Sequence, residues 1–245
     1  MDKQNISQVK SVQNHSRKEV WKMFDRIAHR YDLLNRLLSF GQDIIWRKRV
    51  AKHLPVRNEL HILDVATGTG DLLITLFEQN PNVQSGVGID MAEKMLAFGR
   101  PKLQKHGVAD RFFLQTGNAM DIPFGENTFD ATTISFGIRN VADVLVGLKE
   151  MRRVLKPGGR AIVLEFSLPK NKLMRHLYLF YFRHILPRLG GLISGDSFAY
   201  RYLNETVETF PYGEDFCKLM RHAGFQNVGM TPLTFGIATI YRGDK

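Results

Sequence analysis

The chain has 245 residues, 44% of them apolar and 24% charged, with one cysteine and a formal net charge of +10. That length suits one large α/β domain or a domain with a small subdomain, and the composition is that of an ordinary globular chain. The lone Cys217 excludes an intramolecular disulfide and a cysteine metal cluster, and no run approaches the ~18 apolar residues of a membrane span. The polar first residues lack the apolar region of a signal peptide, so a cytoplasmic protein is expected. The positive charge fits nucleic acid or an anionic membrane surface and names neither.

Residues 1–15 are polar and read as a disordered tail preceding a domain over 16–245. Val20, Met23, Phe24, Ile27 and Tyr31 recur at helical spacing, which predicts a helix from about Ser16 to Trp46. A second helix is predicted over Asp43 to His53, stopped by Pro55, so that 16–55 forms a helical cap. Strands and helices then alternate. "LHILDVA", "VQSGVGID", "RFFLQTG", "TFDATTISFGI" and "GRAIVLEFS" are strands, the last introduced by the turn "KPGG". Such alternation predicts a parallel, doubly wound sheet with helices on both faces. Residues 168–212, rich in aromatics, interrupt the rhythm as a helical insertion or lid. The helix "YGEDFCKLMRHAGF" and two strands about a tight turn, antiparallel at the C-terminus, complete the chain.

Where strand one gives way to its helix the sequence reads "LDVATGTGD", and Gly68 and Gly70 allow a tight turn that brings backbone close to a ligand. The loop resembles the D-x-G-x-G-x-G turn of class I S-adenosylmethionine methyltransferases, with Asp64, Gly68 and Gly70 in place and Ala66 at the first glycine. A nicotinamide dinucleotide loop would require a small residue at position 73, where Leu73 stands. Asp90, about 20 residues further on, is placed to accept hydrogen bonds from ribose hydroxyls. The stretch "TGNAMDIPFGENTFD" resembles the one that holds adenine in many such methyltransferases, which implies that Asn118 and the Ala119 backbone address a base edge; a plain polar loop is the alternative.

The segments "YDLLNRLLSFGQDIIWR" and "RVLKPGGRAIVLEFS", together with "FDRIAHRYD", "SFGIRN" and "AYRYLNETVETFP", are similar to the ubiquinone/menaquinone biosynthesis C-methyltransferase family over nearly the whole chain from Val20. One departure is Asp43, where that family usually has histidine. The resemblance implies methyl transfer from S-adenosylmethionine to a ring carbon of a polyprenylated quinol. Demethylmenaquinol is the first expectation and the benzoquinol precursor of ubiquinone the alternative. It adds Thr69 and Ser135 to the cofactor contacts and implies no metal. An aromatic carbon accepts a methyl cation equivalent only when electron-rich, so positive charge beside the ring oxygen is needed. Arg139 and Asn140, closing strand four beside the glycine loop, are the catalytic candidates, and the competing reading pairs Arg139 with a carboxylate. The expected partners are a prenylated quinol and, through "LYLFYF" with its flanking Arg175, His176, Arg183 and His184, an anionic membrane surface on its inner face; packing of that stretch as core is the alternative. A homodimer is compatible with this reading. A nucleic-acid methyltransferase would explain the charge, but neither the Asn/Asp-Pro-Pro-aromatic nor the Pro-Cys motif is present, so no nucleic acid is expected.

Overall fold

The computed structural model describes residues 20–188 and 197–245. The predicted tail lies outside the described residues, as do residues 189–196 of the predicted insertion. Strands β1 (Leu60–Val65), β2 (Val83–Asp90), β3 (Phe112–Thr116), β4 (Phe129–Ser135), β5 (Leu155–Phe166), β6 (Gln226–Leu233) and β7 (Ala238–Asp244) form one sheet. Their order is β3-β2-β1-β4-β5-β7-β6. β1 to β5 pair in parallel, and β7 runs antiparallel between β5 and β6. This is the expected doubly wound sheet with its antiparallel C-terminal pair.

The central strands are apolar on both faces because helices cover both. Helices α2 (Gln42–Val50), α3 (Asp71–Gln79) and α4 (Glu93–Lys105) bring Trp46, Leu72, Leu76 and Leu96 to one side, against Leu60 and Ile62. Helices α5 (Val144–Arg153) and α8 (Glu214–His222) bring Leu148, Met151, Phe216 and Met220 to the other, with Cys217 buried among them. The chain winds outward from β1 towards β2 in one direction and towards β4 in the other. That reversal opens a crevice at the carboxyl ends of β1 and β4, where open α/β sheets hold ligands.

A third core lies apart from the sheet. Helix α1 (Val20–Leu38) supplies Met23, Ile27 and Leu34 to it. Helix α6 (Lys172–Phe180), prolonged by a π-turn over Tyr181–Ile185, supplies Tyr178 and Phe182, and helix α7 (Ser197–Thr209) supplies Tyr202 and Val207. The predicted cap and insertion thus pack on each other.

Two predicted boundaries shift. The first helix stops at Leu38 instead of continuing to Trp46, because Phe40 (φ 51°) and Gly41 (φ 73°) take left-handed conformations that no α-helix contains. β4 stops at Ser135, because Phe136 (φ 55°) turns the chain into a 3₁₀ turn, Ile138–Asn140. Arg139 and Asn140 therefore sit on a tight helical turn, whose successive side chains diverge, and not on the strand itself.

Candidate active site

After β1 the chain turns through left-handed Ala66 (φ 50°), Gly68 (φ 59°) and Gly70 (φ 79°). Asp64 holds this turn from below. Its Oδ1 accepts from the Thr133 hydroxyl at 2.6 Å and its Oδ2 from the Thr67 hydroxyl at 2.7 Å. Full burial pushes its carboxyl up to about 6, against the lowering effect of those two hydrogen bonds. Asp90 ends β2, where its Oδ2 accepts from the Gly68 N–H and its Oδ1 from the Ala92 N–H, each at 2.9 Å. Burial raises its carboxyl too, though its hydrogen bonds act in the opposite sense.

Above this turn lies a cavity of about 320 Å³. Of the residues expected to hold a cofactor, it brings together Gly68, Asp90, Asn118, Ala119 and Ser135, and it adds Asn140. The cavity is shaped for close approach: a Cβ at Gly68 would come within 3.2 Å of the Met95 methyl. It also offers unused polarity, since the Asn140 Oδ1 is buried and has no partner among the described residues. An acceptor carboxylate, two side-chain amides and a closely approaching backbone suit a nucleoside with ribose hydroxyls and a polar base edge. Asp64, Thr69 and Gly70 have a different position. None of the three lines the cavity; Asp64 braces the turn, and Gly70 caps α3 facing Leu103 and Leu114.

Thr69 belongs to a polar chain that residue patterns did not reveal. Its hydroxyl donates to Asp32 Oδ1 of α1 at 2.7 Å and accepts from Lys102 of α4 at 2.9 Å. Lys102 also bonds Asp32 at 2.8 Å and Asp71 of α3. Asp71 lies 3.9 Å from the Arg47 guanidinium, which donates to Asp43 at 2.6 Å. Asp43 in turn accepts from the Ser39 hydroxyl at 2.9 Å. One chain of charges thus ties the cap helices to the glycine turn.

A second cavity, about 330 Å³, lies between the cap, the insertion and the sheet. Its walls are apolar, including Met23, Leu34, Trp46 and Phe166, and its charged lining groups are Asp43, Arg47 and Arg139. Phe24, Tyr31 and Phe136 line both cavities, so the two spaces meet at these three rings. Tyr31 faces the junction from α1, its phenol raised by burial and lowered in part by its hydrogen bond with Asn35.

The predicted catalytic pair divides between the two spaces: Arg139 lines the apolar cavity, and Asn140 lines the other. Arg139 Nη1 donates to Glu165 Oε1 at 2.7 Å and to the Phe136 carbonyl at 2.5 Å. Its backbone N–H donates to Glu165 Oε2 at 3.3 Å, and its guanidinium carbon lies 5.3 Å from the Phe166 ring centre. The Nε is buried without a partner among the described residues. Arg139 therefore pairs with a carboxylate, as the competing reading expected, and faces the cavity as well. Glu165 was not among the candidates, although an acid inside the apolar run "AIVLEF" carried the signal: a buried carboxylate needs a cation or hydrogen-bond donors beside it.

Comparison with known proteins matches this architecture to a family. The model of the ubiE/COQ5 methyltransferase family matches residues 10–245. The chain belongs to that family. Among its relatives, the ubiquinone/menaquinone biosynthesis C-methyltransferase UbiE of Geotalea daltonii is 48% identical over 227 residues, covering 93% of this chain and 96% of the relative. The demethylmenaquinone methyltransferase of Thermus thermophilus is 49% identical over 223 residues, covering 91% of this chain and all of the relative. Solved structures agree on the fold. A methyltransferase of Thermotoga maritima, described as a possible histamine N-methyltransferase, superposes with a TM-score of 0.65 at 21% identity, covering 92% of this chain and 99% of that one. The [4+2]-cyclase SpnF also reaches 0.65, at 17% identity, covering 94% and 96%. A cyclase among such neighbours shows that this fold alone does not fix a reaction. Asp43, singled out in the sequence as a departure from the resemblance, is buried and bonded to Ser39 and Arg47, and so links the turn after α1 to α2.

Proposed function

We propose that this chain transfers a methyl group from S-adenosylmethionine to a ring carbon of demethylmenaquinol, giving menaquinol. The observation that carries the reading is the junction of two cavities at Phe24, Tyr31 and Phe136, one beside the glycine turn, holding Asp90, Asn118 and Asn140, and one apolar with a buried arginine. The names of the relatives, 48% and 49% identical, support the substrate class. Asp90, Asn118, Asn140 and the Gly68 backbone would hold the cofactor. When bound, S-adenosylmethionine supplies an electrophilic methyl group on a sulfonium.

Arg139 polarises the ring hydroxyl beside the acceptor carbon. Its fixed positive charge favours loss of the hydroxyl proton to water and stabilises the phenolate that enriches the ring; once methylated, the ring carbon releases its own hydrogen as a proton, which restores the aromatic ring, and the ring oxygen regains a proton to give the quinol. The aromatic walls exclude bulk water, which strengthens that interaction. A cavity of about 330 Å³ accepts a bicyclic ring but not a long polyprenyl chain, so the tail leaves over the rim formed by Leu38, Phe40 and Met174. Beside this rim α6 exposes Leu173, Leu177 and Phe180, interleaved with exposed Lys172, Arg175 and His176. No helix among the described residues is long and apolar enough to cross a membrane. This basic apolar face suits peripheral docking on the inner, anionic surface of a membrane that supplies the quinol.

The test offers labelled S-adenosylmethionine with reduced demethylmenaquinol, the reduced benzoquinol precursor and bulk RNA in parallel. Label in the naphthoquinol, lost when the ring is left oxidised, is expected. Label in the benzoquinol as well would extend the activity to the ubiquinone pathway, and label in RNA alone would overturn the reading.

A further inference from the structure

The apolar cavity contains a polar atom that the mechanism above does not use. Tyr178, on α6 of the insertion, is 8% exposed and lines this cavity. Its ring packs against Phe182, with centres 4.9 Å apart. Its hydroxyl is buried and has no hydrogen-bond partner among the described residues. Two other tyrosines of this cavity have identified partners: Tyr31 bonds Asn35, and Tyr181 donates to the Leu38 carbonyl at 3.0 Å. Buried hydroxyls in folded proteins are nearly always paired, so an orphan facing a ligand cavity marks a group that a ligand satisfies.

Tyr178 and Arg139 line the same cavity and are joined by two of its rings: Phe182, which packs on Tyr178, lies 6.2 Å from the Phe166 ring, and Phe166 lies 5.3 Å from the Arg139 guanidinium carbon. Burial pushes the Tyr178 phenol well above the ordinary range, which keeps it protonated and a donor. Charge balance explains why a further donor is useful. Arg139 is neutralised at contact by Glu165, so a phenolate in this cavity meets a pair with no net charge. A low-dielectric site stabilises a developing oxyanion through preorganised donors, and a fixed hydroxyl adds one without desolvating another ion.

We propose that Tyr178 donates a hydrogen bond to the same ring oxygen that Arg139 polarises, which makes the insertion a supplier of a catalytic residue as well as a cover. The proposal rests on the quinol reading above. No proton leaves Tyr178; the ring hydroxyl loses its proton to solvent, and the tyrosine shares its own with the resulting phenolate.

The test compares the full chain with Tyr178→Phe, using a short-tailed demethylmenaquinol kept reduced and S-adenosylmethionine. Tyr178→Phe should lower kcat on the order of 10²-fold while the cofactor Kd stays unchanged, the size of loss seen when one oxyanion donor is removed. The rise of kcat with pH should move to higher pH, because the bound phenol loses a group that favours its ionised form. Without substrate the variant should melt at the wild-type temperature or above, since an unpaired buried hydroxyl has been removed. A kcat within about twofold of wild type overturns the proposal, as does a lowered melting temperature, which would mean that the hydroxyl is paired within the fold. Wild type active and Tyr178→Phe equally active sinks this inference alone. A wild type that labels neither quinol sinks the functional reading and this inference with it.

Discussion

Replacing Glu165 by glutamine tests whether the ion pair behind the apolar cavity is structural. The substitution keeps volume and shape, so no cavity contributes; it removes only the charge that faces Arg139. Glu165 is 1% exposed and Arg139 is 5% exposed, so water does not screen their contact at 2.7 Å. Glu165 also accepts from the backbone N–H groups of Phe166, at 2.9 Å, and Arg139, at 3.3 Å. A glutamine presents one oxygen to these donors, and its amide must face another donor. Removing one partner of a buried pair costs about 3–5 kcal/mol. The lower end applies here, because one acceptor and the Phe136 carbonyl remain. At about 2–4 °C per kcal/mol for a chain of this size, a loss of about 3 kcal/mol lowers the melting temperature by roughly 6–12 °C. Urea unfolding at neutral pH and a thermal scan measure the two quantities. Replacing both partners, Arg139→Met with Glu165→Leu, should restore most of the stability, because no uncompensated charge is left, while turnover is abolished. A loss below about 1 kcal/mol for Glu165→Gln would refute the reasoning, since the arginine would then be solvated through the cavity.

Two further perturbations address the glycine turn. Asp64 has its folded carboxyl raised from 3.8 to about 6, so the folded state holds its proton more tightly than the unfolded chain does. Its contribution to stability is greatest below about pH 4 and falls by about 3 kcal/mol as pH rises to about 6, at ~1.4 kcal/mol per pH unit of separation. The stability difference between wild type and Asp64→Asn, followed by urea unfolding from pH 4 to 7, should shrink or reverse by that amount; a difference independent of pH would contradict the burial argument. Lys102→Met removes the cation shared by Asp32, Asp71 and Thr69, which brings cap and glycine turn together. Its lining partners are a fifth to a third exposed, so the stability loss should stay near 1 kcal/mol. The cofactor KM should rise several-fold with kcat nearly unchanged, and a fall in kcat at constant KM would show that the chain of charges acts on chemistry instead.

Much of the molecule is determined by local pattern. The run from "LHILDVA" to "GRAIVLEFS" alternates buried strands with helices, and period and handedness make it a parallel, doubly wound sheet, as found here; the strand order is set by the tertiary structure. The glycine turn was legible because left-handed backbone at Gly68 and Gly70 is a requirement on single residues. That Asp90, Asn118, Ala119 and Ser135 share one cavity beside the turn follows from the strand order, since all four end or follow strands that open at one crevice.

What the sequence by itself left undetermined depends on contacts between distant segments. That Arg139 and Asn140 open onto different cavities follows from Phe136 leaving the strand in a left-handed turn, a choice set by packing against Trp46 and Phe166. The pairing of Arg139 with Glu165 spans 26 residues, and the bond between Asp32 and Thr69 spans 37. Charges pair across such separations only once the sheet and cap have formed, because no periodicity connects them. Tyr178 shows the difference most clearly. In the sequence it is one aromatic among many in "LYLFYF"; only the tertiary structure buries its hydroxyl in a residue that lines the same cavity as Arg139, with no partner among the described residues, and a low-dielectric site makes such an unpaired donor costly.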